Sequence, residues 1–173
     1  MSTAPRVPYE TTGNVRDRCL CLHAQRAARA LARRFDDALR PLGLSNGQFS
    51  LLMSLNRPQP PTMGSVADLL GVDRTTLTAA LKPLRRRGLV EVAAGADDRR
   101  NRLLKLTEQG ETLLAAALPV WERVQAEVDA MLEDGDRLRA ELRALERDAG
   151  GYSTGHGPDR RHGRSSPCSG SSA

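Results

Sequence analysis

The stretch from Thr62 to Leu106 leaves this chain the fewest ways to fold. Met63, Val66, Ala67 and Leu70 recur at helical spacing. Thr62 can cap that helix by accepting from a first-turn amide, and Gly71 suits a left-handed C-cap. Asp73 caps a second helix that begins Arg74-Thr75-Thr76-Leu77-Thr78. Two short helices joined by a few residues that include glycine form a helix-turn-helix. Gly88 ends the second helix, Leu89-Val90-Glu91-Val92 alternates as a strand, and Leu103-Leu104-Lys105-Leu106 is its partner. Residues 93–102 make a polar connection, with Gly95, Asp97 and Asp98 as turn formers and Arg99, Arg100 and Arg102 near the tip. The predicted fold class is mainly α, a winged helix-turn-helix with a small β-hairpin wing.

On a helical wheel Leu77, Leu81 and Leu84 fall in one narrow stripe with Ala80 beside it, which marks the buried face. The opposite face carries Thr75, Ala79, Lys82 and Arg86, flanked by Thr78 and Arg85, and holds no acid. A solvated helix face ordinarily mixes charge signs. A face of small, hydroxyl and long cationic residues can instead enter a major groove, where small residues permit close approach and cations reach phosphate or guanine. The candidate DNA contacts are Arg74, Thr75, Thr76, Thr78, Lys82 and Arg86 on this helix and Arg99, Arg100 and Arg102 on the wing, whose natural target is the minor groove or flanking phosphates. Charge follows the motif: of the chain's net +5, nine lysines and arginines against five acids lie between Thr62 and Lys105. Pro83 interrupts the helix and crowds the carbonyl of Ala79, so a kink or a shifted helix end is expected there.

The ordered set Leu44-Ser45-Asn46-Gly47-Gln48-Phe49, Val66-Ala67-Asp68-Leu69-Leu70-Gly71-Val72-Asp73-Arg74, Arg87-Gly88-Leu89-Val90, Asp98-Arg99-Arg100 and Leu106-Thr107-Glu108-Gln109-Gly110 resembles the MarR family of transcriptional regulators. The resemblance runs over most of Cys19 to Leu145. It implies a winged-helix homodimer, a repressor that binds a pseudo-palindromic operator in double-stranded DNA and is released by a small-molecule effector or by an oxidant. It also implies that Arg100 is the wing residue placed in the minor groove and that Asp98 braces it.

The remaining chain is organised around this lobe. Residues 1–14 contain Pro5, Pro8 and Gly13 and read as a flexible arm, and residues 15–149 as the MarR-like domain with its winged helix at about 45–106. Long dimerisation helices are expected at about 15–40 and 107–148. In the first, Leu20, Ala24, Ala27, Leu31 and Phe35 recur at helical spacing. Ser45 and Gln48 form a capping box for the next helix. Thr107 caps a long helix striped by Leu114, Ala117, Trp121, Val124 and Val128, which Pro119 is expected to bend, and a last helix carries Leu138, Leu142 and Leu145. A lobe this small cannot cover such helices, so Leu20, Trp121, Val128, Leu138 and Leu142 are assigned to a homodimer, which would also set two recognition helices about 34 Å apart. Residues 150–173, rich in Gly, Ser, Arg and His, read as a disordered tail holding His156, His162 and Cys168.

No apolar run reaches the length of a membrane span, and no secretory signal precedes the domain. Three cysteines do not make a disulfide framework, so a cytoplasmic protein without metal or cofactor is expected. On one continuous helix Cys19 and Cys21 would point roughly 200° apart and could not bridge without unwinding. Cys21 joins the inward stripe of Ala24, Ala28, Ala32, Phe35 and Leu39. Leu20-Cys21-Leu22 with Arg29 resembles the peroxide-sensing branch of the family, which makes Cys21 a candidate redox sensor. That branch holds its cysteine with tyrosines, two of which correspond here to Phe35 and Asn46. The alternative is a small buried hydrophobe. His23 and Phe35 are candidates for a ligand pocket. Two other classes compete. A thiol oxidoreductase using Cys19 and Cys21 lacks the surrounding βαβ pattern. A winged-helix protein-interaction module that does not bind DNA leaves the arginine wing unexplained. The chain is read as a regulator, not an enzyme.

Overall fold

The computed structural model describes residues 6–94 and 102–148. Seven α-helices and one two-stranded antiparallel sheet lie among them: α1 Tyr9–Arg18, α2 Leu20–Leu39, α3 Asn46–Leu55, α4 Met63–Leu70, α5 Arg74–Arg86, β1 Val90–Ala94, β2 Arg102–Leu106, α6 Glu108–Asp129 and α7 Gly135–Asp148. The strands pair in register from Val90 opposite Leu106 to Ala94 opposite Arg102.

Local chemistry sets the helix ends. Ser45 and Gln48 close a capping box on α3. Thr62, Asp73 and Thr107 each accept a first-turn amide of α4, α5 and α6. Such caps contribute about 1 kcal/mol each. Gly71 and Gly88 adopt φ of 63° and 69° just past α4 and α5. In both, the next residue's N–H returns to the helix, Val72 to Ala67 O and Leu89 to Leu84 O at 3.0 Å, which is a Schellman closure.

The main core lies between α3, α4, α5, the sheet and the first half of α6. A smaller cluster of Phe35, Val124 and Val128 joins the end of α2 to the second half of α6. Trp121 connects the two, stacking on Phe35 and Phe49 with ring centroids 6.4 and 6.0 Å apart. Pro61 and Thr62, just before α4, pair with the sheet: Leu104 N–H donates to Pro61 O at 2.9 Å and Thr62 bridges Leu103.

Four expectations are corrected. The first long helix is two helices, broken at Cys19, whose ψ of 99° is extended. The first of these starts at Tyr9, inside the stretch read as an arm. Pro8 occupies its N-cap, where a missing N–H costs nothing, and Gly13 is tolerated within it. The helix end is not shifted at Pro83: α5 continues through it to Arg86, as α6 continues through Pro119 to Asp129. Trp121 and Val128, assigned to a partner, are used by the protomer's own core, and Val128 is 8% exposed. Leu20, Leu138 and Leu142 stay exposed, as does every residue of α1 and α7 to at least an intermediate degree among the described residues. The wing tip with Asp98, Arg99 and Arg100, the first residues of the arm, and the tail with its histidines and Cys168 lie outside the described residues.

Candidate nucleic-acid interface

Helix α5 is presented edge-on by its neighbours. Leu77, Leu81 and Leu84 are 3% exposed or less and anchor it to the core. Burying each contributes about 1.5–3 kcal/mol. Thr75, Thr78, Ala79, Lys82, Arg85 and Arg86 are all exposed on the outer side. The wheel drawn from the sequence therefore has the correct phase.

Hydrogen bonding differentiates the threonines. The Asp73 carboxylate accepts from Thr76 N at 2.7 Å and from the Thr76 hydroxyl at 3.0 Å. These bonds, the backbone one foremost, hold the Asp73 carboxyl below its usual range. The Thr78 hydroxyl donates to Arg74 O at 2.7 Å. The hydroxyl protons of Thr76 and Thr78 are thus already committed within the helix, which leaves each side chain a methyl group and an acceptor lone pair. The Arg74 guanidinium folds back toward α4, with a nitrogen 3.4 Å from where a β-carbon on Gly64 would sit. On the wing, Arg102 is exposed at the start of β2, and Lys105 stands opposite Glu91.

The two effector candidates differ in burial. His23 is exposed, with Nε2 3.3 Å from Asp17 O, while Phe35 is buried against Trp121, Val124 and Val128. A cavity of about 330 Å³ is bounded by Phe49, Ser50, Met53, Ser54, Leu69 and Trp121. A single sequence shows that Phe49 and Trp121 are apolar and periodic, but not that they border a space.

The cysteines also differ. Cys21, expected to face inward, is exposed, and Gln25 Nε2 donates to its sulfur at 3.1 Å. The reason is that α2 leaves the lobe toward its N-terminus. Of its stripe, Phe35 and Leu39 are buried, Ala32 is half-buried, and Ala24 and Ala28 are exposed. Cys19 is half-buried and caps α2, its sulfur accepting from Leu22 N at 3.4 Å. Because Cys19 lies outside helical geometry, the 200° separation of a continuous helix does not apply to this pair. No group of three or more potential metal ligands gathers among the described residues, and no described helix is long and apolar enough to cross a membrane.

Residues 42–101 match the MarR family. Over 95 residues the chain is 32% identical to an uncharacterised HTH-type transcriptional regulator, YwoH, of Bacillus subtilis, covering 55% of this chain and 69% of that protein. The transcriptional regulator MosR of M. tuberculosis, solved in complex with DNA, is 45% identical with a TM-score of 0.70, covering 76% of this chain and 96% of that one. A transcriptional repressor, CouR, bound to a 23-mer DNA duplex, is 28% identical with a TM-score of 0.66, covering 79% of this chain and 96% of that one. With a relative 32% identical over more than two thirds of its length and a solved regulator 45% identical over nearly all of its own, the chain belongs to the MarR family of transcriptional regulators.

Proposed function

We propose that this chain is a homodimeric repressor that reads a pseudo-palindromic operator with α5 and its wing. The observation that carries the reading is the division of α5: three leucines sealed in the core, and an outer face of Thr75, Thr78, Ala79, Lys82 and Arg86 without an acid. Small and hydroxyl residues on that face read base edges, while Lys82, Arg86 and the wing arginines Arg99, Arg100 and Arg102 supply phosphate and minor-groove contacts. Asp98 braces Arg100, as the family resemblance implies. The exposed apolar side chains of α1, the first half of α2 and α7, including Leu20, Leu138 and Leu142, cover one another across a two-fold axis.

Fluorescence anisotropy on DNA flanking the protein's own coding region tests this. Binding should be tight and fall steeply with salt. Arg100→Ala should weaken every duplex and lower the salt slope by about one, whereas Thr75→Ala should change the preferred sequence. Equal losses on all duplexes from both substitutions would overturn the division of labour.

Release is assigned to a small molecule in the cavity beside Trp121 or to oxidation of Cys21. In the single protomer Cys21 is exposed, which is the first condition for an oxidant to reach its thiol. An organic hydroperoxide would convert the thiol to a sulfenic acid and depart as the alcohol. Treated wild type should lose the duplex and treated Cys21→Ser should keep it. Each protein reacts once, without the turnover an oxidoreductase would show. Binding indifferent to oxidant would return release to the cavity.

A further inference from the structure

We infer that the corner Arg87-Gly88-Leu89, immediately after the recognition helix, sets the angle at which α5 is presented by the dimerisation helices, and that Arg87 is its positioning residue. The inference rests on the DNA-binding reading of α5.

Three consecutive residues at this corner are each held by an element that leads into the arms. Arg87 Nη1 donates to the carbonyl of Gly43 at 2.6 Å, bridging 44 positions of sequence. Gly43 is the left-handed residue, φ 66°, that ends the 3-10 turn after α2. The guanidinium lies over it, with Nη2 3.5 Å from where a β-carbon would stand. The carbonyl of Gly88 accepts from the Thr107 hydroxyl at 2.6 Å, at the start of α6. The carbonyl of Leu89 accepts from Thr107 N at 3.1 Å. It also lies so close to Gly110 that any β-carbon there would overlap it. A fourth tie stiffens the same elbow: Asn46 N, at the head of α3, donates to Asp36 of α2 at 2.6 Å.

Thr107 and Gly110 hold the corner through backbone carbonyls, so side-chain changes at 88 and 89 act on it only indirectly. Arg87 is different. It is the side-chain strut between the end of α5 and the end of α2, and it is exposed, so truncating it opens no cavity. In a two-fold dimer a small rotation of α5 about this corner is doubled in the separation of the two recognition helices. Arg87 therefore acts on half-site spacing and not on half-site sequence.

The test is selection from a randomised duplex library by wild type, Arg87→Ala and Arg87→Lys, followed by anisotropy titrations across salt on the duplex wild type prefers. Thermal melts and sedimentation confirm that each variant folds and dimerises. Arg87→Ala should recover the same half-site sequence with a broadened spacing. On the wild-type duplex it should bind about three- to tenfold more weakly, the scale of one exposed charge-assisted hydrogen bond, with the salt slope unchanged. Arg87→Lys, which keeps a donor for the Gly43 carbonyl, should restore most of the spacing preference. Unchanged spacing and affinity in Arg87→Ala would overturn the inference. So would a salt slope lowered by about one at intact spacing, which would make Arg87 a phosphate contact. A wild type that enriches no duplex would remove the DNA-binding reading, and this inference with it.

Discussion

Helices α5 and α7 carry the same leucine spacing and meet opposite fates. Leu77, Leu81 and Leu84 on α5 and Leu138, Leu142 and Leu145 on α7 both recur at i, i+4 and i+7. Leu81 is 3% exposed and Leu142 49%. Periodicity specifies that a face is apolar, whereas burial requires something within reach to cover it. Around α5 the chain supplies α4, β1 and a core shared with α3 and α6. Around α7 it supplies ion pairs at the near end, where Arg139 reaches Asp129 at 2.7 Å and Asp136 at 2.8 Å, and leaves the leucine stripe open. The lobe is complete in one copy and the arms are not.

Truncation on the completed side should have the largest effect. Leu84 is wholly buried, so Leu84→Ala should destabilise the protomer by about 2–5 kcal/mol through lost transfer free energy and the cavity left behind. In urea unfolding the loss should be the same at every protein concentration. A loss that grows on dilution would mean that the lobe also depends on the partner copy, and the contrast between the two helices would fail.

Leu142→Asp probes the open side. Its leucine contributes twice in a two-fold interface and is already half-exposed in the protomer. Dimer affinity should therefore fall by about 2 kcal/mol, roughly thirtyfold. Sedimentation velocity over a dilution series reads the shift directly, and far-ultraviolet circular dichroism should show the lobe intact. An unchanged dimer would leave the α7 stripe without its proposed cover.

The same contrast explains what could be read from the sequence. Between Ser45 and Thr107 every helix start is signalled by a hydroxyl or carboxylate cap, and the ends of α4 and α5 by a glycine free to take positive φ. Those ends depend on nothing distant. Trp121 and Val128 were assigned to a partner because a stripe on a long helix does not say which surface covers it, and Phe35 and Phe49 turned out to be in reach. The break at Cys19 carries no proline or glycine, and its cap is a thiol, a weak acceptor that sequence patterns do not mark. The exposure of Cys21 follows from that break and from the direction in which α2 leaves the lobe, neither of which is a local property. For the interface, the phase of α5 was legible, but the capture of the Thr76 and Thr78 protons by Asp73 and Arg74 O was not, since it depends on side-chain rotamers.

The smallest expected effect lies at the lobe's outer edge, in the cap that starts the recognition helix. Asp73 has its carboxyl held below the usual range by the Thr76 amide and then the Thr76 hydroxyl. A depressed folded-state pKa means that the cap's charge-dependent stabilisation is fully present above the unfolded carboxyl value, near pH 4, and is lost as pH falls through the folded value. Asp73→Asn keeps an oxygen to accept from Thr76 N but does not titrate. Its melting temperature should therefore lie slightly below wild type at pH 6, where the carboxylate also favours the positive end of the helix dipole. The two curves should converge toward pH 3. Asp129 and Glu127, also held low by arginine partners, titrate in the same window in both proteins and cancel in the comparison. Curves that stay parallel over the whole range would mean that the Asp73 charge contributes nothing to holding α5, leaving its three leucines and the corner after Arg86 to hold the recognition helix.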